Sequence, residues 1–511
     1  MASLSASIAK IGGSTFLSRV LGFARDLIIA RLFGADAATD AFFVAFKIPN
    51  FARRLFAEGV FSMALVPVLN ETKQKQGDDA LKAFVDDMAG ALTLALLLIT
   101  AAGLLAAPWL VLVFAPGFAG DATQHEMATA MLRLTLPYIL FITLAAFAGS
   151  ILNTYERFGV PAFTPVLLNL ILICCALGVA PHLEEPILAL AWGVLIAGMV
   201  QLGFQLPFLR RLGLLPRPRL NLRDPGIQRV FKLIGPAILG VSVGQISLLL
   251  DTLFASFLQT GSISWLYYSD RLMEFPLGIL AVALGTVIMP RLSQQHVADN
   301  AGDFSQTLDW AMRWTLLLGA PAALGLLALA QPIMATLFVS EAFATRDVVM
   351  AGQSLMAYAP GVIAFMAIKI LVPGYYARQD MRGPVRIALV SLGIGLLLDV
   401  LLMLPMGHAG LALATTIAAL ANAGLLLRGL MNAGIYAPED GWAQFASKVG
   451  AASLVMASAL LLLAGSASDW IALDTGSRVP RLLGWILAGA ALYLLTLILS
   501  GVRRHDLMPR A

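Results

Sequence analysis

Charge is what this sequence has least of. Of its 511 residues only 13% are Asp, Glu, Lys or Arg, while 59% are apolar. A soluble chain carries about twice that charged fraction, and no soluble core could hide so much apolar surface. A water-soluble globular protein is thereby excluded, and lipid must be the solvent for most of the chain. Cysteine is nearly absent too. Cys174 and Cys175 sit side by side in an apolar run, where they can neither bridge each other without strain nor supply a metal site. The five histidines show no ligand spacing. No Asp-rich cluster, paired histidines or nucleotide-binding loop is present, which argues against an intramembrane enzyme of polyprenyl-phosphate chemistry. Met1 to Gly13 lacks the charged start and small-residue cleavage pattern of a signal peptide, so the first span is expected to remain in the mature protein.

What is there is a succession of long apolar runs. Segments such as Ala91–Trp109 and Ala451–Ala464 lack the alternation of a spanning β-strand, so the spans are helices. A span needs about 20 apolar residues, and a chain of this length accommodates roughly fourteen. Apolar windows with Gly/Pro punctuation place them at 10–33, 37–69, 85–113, 128–152, 161–180, 186–208, 228–258, 264–290, 305–330, 347–376, 384–405, 409–431, 443–465 and 481–501. The expected fold class is an all-α polytopic membrane protein.

The loops sort into two alternating sets. One set holds only Arg346 and Arg478 as basic residues. The other holds Lys73, Lys75, Lys82, Arg157, the cluster Arg210, Arg211, Arg217, Arg219, Arg223 and Arg229, then Arg291, Arg378, Arg382, Arg428 and the tail Arg503, Arg504 and Arg510. The positive-inside rule puts the second set, and with it both termini, in the cytoplasm. The basic loop at 210–229 is a topology signal and anionic-lipid contact; it lacks the aromatic interleaving of a nucleic-acid surface. It divides the chain into a first lobe of six helices (1–209) and a second (230–431), followed by helices 13 and 14 with a tail (432–511). A weak internal echo, Phe42-Phe43 with Lys47 and Pro67 against Tyr267-Tyr268 with Arg271 and Pro290, fits a transporter built from two repeats with its site at their interface.

Some of the few charges fall inside spans. The first carries Arg19, Arg25, Asp26 and Arg31; the second Lys47, Arg53, Arg54 and Glu58; the eighth Asp270, Arg271 and Glu274. An arginine at bilayer depth costs at least about 2.5 kcal/mol, so such residues face water, protein or ligand. Local pairing accounts for some: Arg54 with Glu58 at i,i+4 and Arg271 with Glu274 at i,i+3. Arg31 is close enough to the membrane edge to snorkel. Arg19, Arg25, Arg53 and Arg271 exceed their nearby acids. A cationic cavity is the expected use, and arginine suits planar, bidentate binding of phosphate or carboxylate, so the cargo is an anion such as a diphosphate. A second constellation comprises Asp251 and Asp399, each mid-span, with Thr415 and Thr416. It suits a dehydrated sodium ion, a proton relay, or simple bonding between helices.

The segments Ser18-Arg19-Val20-Leu21-Gly22-Phe23-Ala24-Arg25-Asp26, Thr39-Asp40-Ala41-Phe42-Phe43-Val44-Ala45-Phe46-Lys47, and Pro49-Asn50 through Arg53-Arg54-Leu55-Phe56-Ala57-Glu58-Gly59 closely resemble the opening motifs of the MurJ/MviN family of lipid II flippases. So do Gly235-Pro236-Ala237-Ile238, Tyr267-Tyr268-Ser269-Asp270-Arg271-Leu272-Met273-Glu274-Phe275-Pro276 and Pro373-Gly374-Tyr375-Tyr376-Ala377-Arg378. The resemblance covers essentially the whole chain. It implies a multidrug/oligosaccharidyl-lipid/polysaccharide exporter fold, with two six-helix lobes in a V and helices 13 and 14 forming a groove for an undecaprenyl tail. It further implies transport of lipid II from the cytoplasmic to the periplasmic leaflet, no catalysis, and residence in the bacterial inner membrane. The family's substrate-binding positions correspond to Arg19, Arg25, Asp40, Arg53, Ser264, Arg271 and Glu274. A sodium site found in some members corresponds to Asp251, Asp399 and Thr415, although a further asparagine of that pattern is Gly395 here. Expected partners are lipid II, membrane lipids and the cell-wall synthesis machinery, with no nucleic acid; the chain is expected to be a monomer and to hold no cofactor beyond a coupling sodium ion. Alternatives are a flippase for another polyprenyl-diphosphate glycan, a drug or cation antiporter of the same superfamily, and the enzyme already argued against.

Overall fold

A computed structural model describes residues 2–55, 61–221, 223–278, 282–298 and 301–502, with the backbone alone for 2–11, 55, 61–63, 234–248, 282–287, 297 and 301. Among the described residues every regular element is helical, as the absence of alternating patterns predicts. The chain divides into two compact units, Met1–Gly261 and Ser262–Ala511.

The first unit contains α1 (Ala2–Phe33), α2 (Ala37–Leu55), α3 (Phe61–Phe114), α4 (Ala122–Thr135), α5 (Tyr138–Thr154), α6 (Gly159–Cys174), α7 (Leu188–Arg211) and α8 (Pro225–Ala255). Within it α1 packs on α6, α2 on α4, and α5 on both α3 and α7. The helix after the basic loop, α8, packs against α3 and α2. The division between compact units therefore falls one helix later in the chain than the basic loop.

The second unit contains α9 (Ser262–Pro276), α10 (Val282–Val297), α11 (Ala301–Ala328), α12 (Ala330–Phe338), α13 (Thr345–Tyr358), α14 (Gly361–Tyr376), α15 (Arg382–Met406), α16 (His408–Asn432), α17 (Trp442–Leu463), α18 (Ala467–Ala472) and α19 (Thr475–Leu499). Here α15 lies along α16, α14 packs on both α11 and α16, and α17 bridges α11 and α19. One apolar core joins Ile288, Leu308, Ile370, Leu371, Leu426 and Leu430 from α10, α11, α14 and α16.

Within the described residues the fourteen expected spans fall on helices, although the window 37–69 takes in α2 and the start of α3, and that window and 264–290 each include residues outside the described ones. Among the described residues nine segments are long and apolar enough to cross a membrane alone, and α13 with α14, bent by 44°, makes a tenth. The remaining four are α1, α2, α8 and the α9–α10 pair. Three of those four are the spans that carry the anomalous charges, which lower their hydropathy. The segment expected as a loop around Lys73–Lys82 is instead helical. Gly77, at φ 86° and ψ −179°, breaks the axis of α3 there, a conformation that costs an L-residue its Cβ clearance and that glycine adopts freely. The adjacent cysteines are both free thiols.

The two basic residues in the loop set otherwise free of Lys and Arg each have a local structural use. Arg478 is buried and donates Nε to the Trp470 carbonyl (3.0 Å), Nη2 to Ile471 (2.7 Å) and Nη1 to Ala335 (3.3 Å). These carbonyls lie in the last turns of α18 and α12, where a cation also meets the negative end of the helix dipole. Arg346 lies over the Trp265 ring, 5.7 Å from its centroid.

Candidate functional site

The residues singled out from the sequence fall into one group in each unit. In the first, α1 turns Arg19 and Arg25 to different faces, as their spacing of about 120° requires. Arg19 is exposed; Arg25 is 6% exposed. The Arg25 guanidinium directs Nε (2.9 Å) and Nη2 (2.6 Å) to Oδ1 of Asp26, itself 4% exposed, and Nη1 to Oδ1 of Asn169 on α6 (2.9 Å). Asn169 in turn donates Nδ2 to the Ser18 carbonyl (2.9 Å). A buried guanidinium is tolerated only when charge and donors are both answered, and here a carboxylate and an amide do so.

Asp40, on the first turn of α2, is also buried, and its Oδ2 accepts the backbone N–H of Gly261 (2.7 Å). Further along α2, Lys47 donates to Thr252 Oγ1 on α8 (2.5 Å), and the half-buried Arg53 donates Nε to Asn50 Oδ1 (2.8 Å). The Arg54–Glu58 pair expected at i,i+4 lies outside the described residues at Glu58.

In the second unit, α9 carries Ser264, Arg271 and Glu274. Ser264 is fully buried. Arg271 is half-buried, places its guanidinium 5.2 Å from the Tyr267 ring centroid, and pairs through Nη1 with Glu274 Oε2 at 2.8 Å. Tyr267, Arg271 and Glu274 follow at i,i+4 and i,i+3 along one helical face. The Glu274 side chain is 47% exposed, and an ion pair this open is worth about 0–1 kcal/mol. An anion with better geometry can take over that guanidinium at small cost.

Asp251 lies half-buried on α8 in the first unit; Asp399 and Thr415 lie on α15 and α16 in the second. Asp399 is 4% exposed, and its Oδ1 has no hydrogen-bond partner among the described residues. Thr416 is occupied by the Ala357 carbonyl (2.8 Å). Among the described residues no group of three or more His, Cys, Asp or Glu is arranged to hold a metal.

Sequence reasoning missed two constellations. One is Asn169, whose partner is 144 residues away; nothing local marks it. The other centres on Asp309 of α11, which accepts from Arg313 Nε (2.7 Å), Tyr436 Oη (2.9 Å), Trp442 Nε1 (2.5 Å) and the Glu439 N–H (3.2 Å). Burial first, and the Asp309 charge second, hold the Tyr436 phenol far above its ordinary range, so it stays a donor. This cluster ties the segment before α17 to α11. The i,i+4 spacing of Asp309 and Arg313 inside an apolar span was the available signal.

The comparisons with known proteins bear on the whole chain. A family profile described as "MurJ: Lipid II flippase MurJ" matches residues 29–480. The "Probable lipid II flippase MurJ" of Haemophilus influenzae is 45% identical over 97% of this chain and 100% of its own length. The "Lipid II flippase MurJ" of Burkholderia cenocepacia is 44% identical over 97% and 96%. Among solved structures, "Lipid II flippase MurJ, inward closed conformation" superposes with a TM-score of 0.80 at 26% identity, covering 95% of this chain and 97% of that one. An inward-facing multidrug resistance MATE transporter of the MOP superfamily reaches a TM-score of 0.65 at 13% identity over 84% and 98%, a likeness of fold alone. Profile, near-full-length relatives and superposition agree: the chain belongs to the lipid II flippase MurJ family.

Proposed function

We propose that this chain moves lipid II, the undecaprenyl-diphosphate-linked peptidoglycan precursor, from the cytoplasmic to the periplasmic leaflet of the bacterial inner membrane by alternating access. It is a multi-pass transporter, not an enzyme. The observation that carries the reading is similarity at 44–45% identity, over nearly the whole chain, to proteins named as lipid II flippases. The chemistry of the site is in keeping with it. Arginines placed in helices that would otherwise be apolar suit a diphosphate, and their excess over acids disfavours the cationic cargo of a drug antiporter.

On this reading Arg19, Arg25, Arg53 and Arg271 bind the diphosphate and the attached carboxylates, with Asp40 and Ser264 shaping the site. Glu274 holds Arg271 while no cargo is bound. Because that pair is exposed and weak, a diphosphate oxygen displaces the carboxylate readily, and Glu274 reclaims the guanidinium on release. Cargo neutralises the arginines that it meets. Asp251, Asp399 and Thr415 would hold a sodium ion, for which the buried Asp399 oxygen is a fitting ligand; the bound ion would offset one of the two carboxylate charges. The membrane potential is a second source of drive, worth about 2.3 kcal/mol per charge per 100 mV. Both termini and the basic loop at 210–229 are cytoplasmic, in accord with the distribution of Lys and Arg.

The test is the leaflet accessibility of lipid II in cells depleted of this protein and complemented with wild type, Arg271→Gln or Arg271→Lys. Arg271 is chosen because its partner is exposed, so its loss leaves no buried charge stranded. Lipid II is expected to be trapped inside on depletion, released fully by wild type, partly by Arg271→Lys and not by Arg271→Gln. Lipid II that reaches the outer leaflet on depletion would refute the function; full release by Arg271→Gln would refute the role of the arginine.

A further inference from the structure

The basic loop that joins α7 to α8 is not a solvated tether. It is bound to α3 along its backbone. The carboxylate of Asp86, 3% exposed, accepts the Arg217 N–H (2.7 Å) and pairs with Lys82, while the Asp86 carbonyl accepts the Arg219 N–H (3.0 Å). Two residues on, Asn221 Nδ2 donates to Asp87 Oδ2 (2.9 Å). At Gly90 the contact is so close that a Cβ would sit 1.9 Å from the Arg219 carbonyl oxygen. The strap is thus fixed by its main chain and by the Asn221 side chain, and its arginine side chains take no part in fixing it.

Those side chains point away from the protein. Arg210, Arg211, Arg217, Arg219 and Arg223 are all exposed. The three carboxylates closest in the chain or in the contact are already committed: Asp86 to Lys82 and Arg217 N–H, Asp87 to Asn221, and Asp224 to the Gly226 and Ile227 N–H groups that open α8. Among the described residues none of the five arginines forms an ion pair. Leu220, 67% exposed, and Leu215, 36% exposed, stand among them. Arg211 spreads over the Phe208 ring, 5.8 Å from its centroid, at the last turn of the spanning helix α7. A purely solvated loop has no use for exposed leucines, and a nucleic-acid surface would want stacking rings between its cations.

We propose that the strap, in its described residues 212–221 with Arg223, is a docking surface for anionic phospholipid. The arginines meet headgroup phosphates, Leu215 and Leu220 enter the headgroup–acyl boundary, and α3 supplies the preformed backbone. Since the strap continues directly from the last turn of α7, it lies at headgroup level whichever side that is. Ordering it in advance removes the entropy that a flexible basic loop would lose on contact.

The test is native mass spectrometry of the purified full chain titrated with phosphatidylglycerol or phosphatidylethanolamine, at low and high ionic strength. Wild type is expected to retain phosphatidylglycerol preferentially, with the preference falling as salt rises. The triple variant Arg217→Gln/Arg219→Gln/Arg223→Gln is expected to lose about tenfold or more of that preference. The corresponding triple Lys variant is expected to keep most of it. Neither touches the backbone bonds to Asp86, so unfolding temperatures should match wild type. Inorganic phosphate at millimolar concentration should not displace the lipid, because it has no acyl chain for the leucines. Undiminished phosphatidylglycerol preference in the Gln variant overturns the proposal. Displacement by inorganic phosphate overturns it too, in favour of a free-anion site.

Discussion

Arg25 and Asn169 meet at 2.9 Å across 144 residues of chain, joining α1 to α6 inside the first unit. The same guanidinium grips Asp26 with two further N–H groups. Arg25 is therefore a packing element of its unit as well as a candidate ligand of the cargo. Replacing it with alanine would remove two N–H donors and the paired charge from the buried Asp26 carboxylate, at a cost of about 3–5 kcal/mol. Asn169→Leu, which leaves one N–H of the guanidinium without this acceptor, should cost about 1–3 kcal/mol. Asn169→Asp also loses the Nδ2 donor to the Ser18 carbonyl, but it keeps the acceptor for Arg25 and adds a charge facing the guanidinium, so it should cost less than leucine. Unfolding temperatures in detergent check this order, and equal values for the two Asn169 variants would sink it. Arg25→Lys is also expected to lose complementation, because a single ammonium cannot answer carboxylate and amide together in this geometry.

How legible this was in the sequence depends on range. The fourteen spans are set by apolar run length, a local property, and within the described residues they fall on helices. The Arg271–Glu274 pair is likewise local, at i,i+3, and the structure forms it. The fate of Arg25 was not legible: its amide partner sits on another helix, and its neighbour Asp26 is at i,i+1, a spacing at which helical side chains normally diverge. Arginines in spans read as excess cation when only their own helix is considered. The axis break at Gly77 also escaped, because the apolar windows around it end in charged residues that read as a loop.

Asp309 collects four donors from α11, α17 and the segment between them. Asp309→Ala should leave Arg313 as a buried cation deprived of this carboxylate and cost about 3–5 kcal/mol. Tyr436→Phe removes one donor of the four and should cost about 1 kcal/mol. A double-mutant cycle between Asp309→Asn and Arg313→Met, read from unfolding temperature, should show strong coupling. Additive losses would mean that the cluster does not act as a unit.

Arg478 breaks the charge bias of its loop set for a structural reason: it donates to three backbone carbonyls on two helices. Arg478→Met should cost about 2 kcal/mol or more, because carbonyls already removed from water lose their donors. Arg478→Lys keeps the charge but cannot span all three acceptors, so most of that loss should persist. If lysine restored the wild-type unfolding temperature, charge alone would account for the residue.

Asp399 supplies the sharpest test of ion coupling. A buried carboxylate oxygen with no hydrogen-bond partner among the described residues is costly unless protonated or met by a cation. A ligand that binds only the folded state raises stability by RT ln(1 + L/Kd), where L is the free ligand concentration. Purified wild type should therefore unfold at a higher temperature in sodium chloride than in choline chloride at equal ionic strength, and Asp399→Asn should abolish the difference. The sodium-free baseline of Asp399→Asn should lie at or above that of wild type, because a neutral amide avoids the desolvation cost of the charge. A sodium effect of equal size in both proteins would place the ion elsewhere. No sodium effect in either, together with a stabilised Asp399→Asn, would assign the carboxylate to proton binding, and transport should then respond to pH and not to sodium.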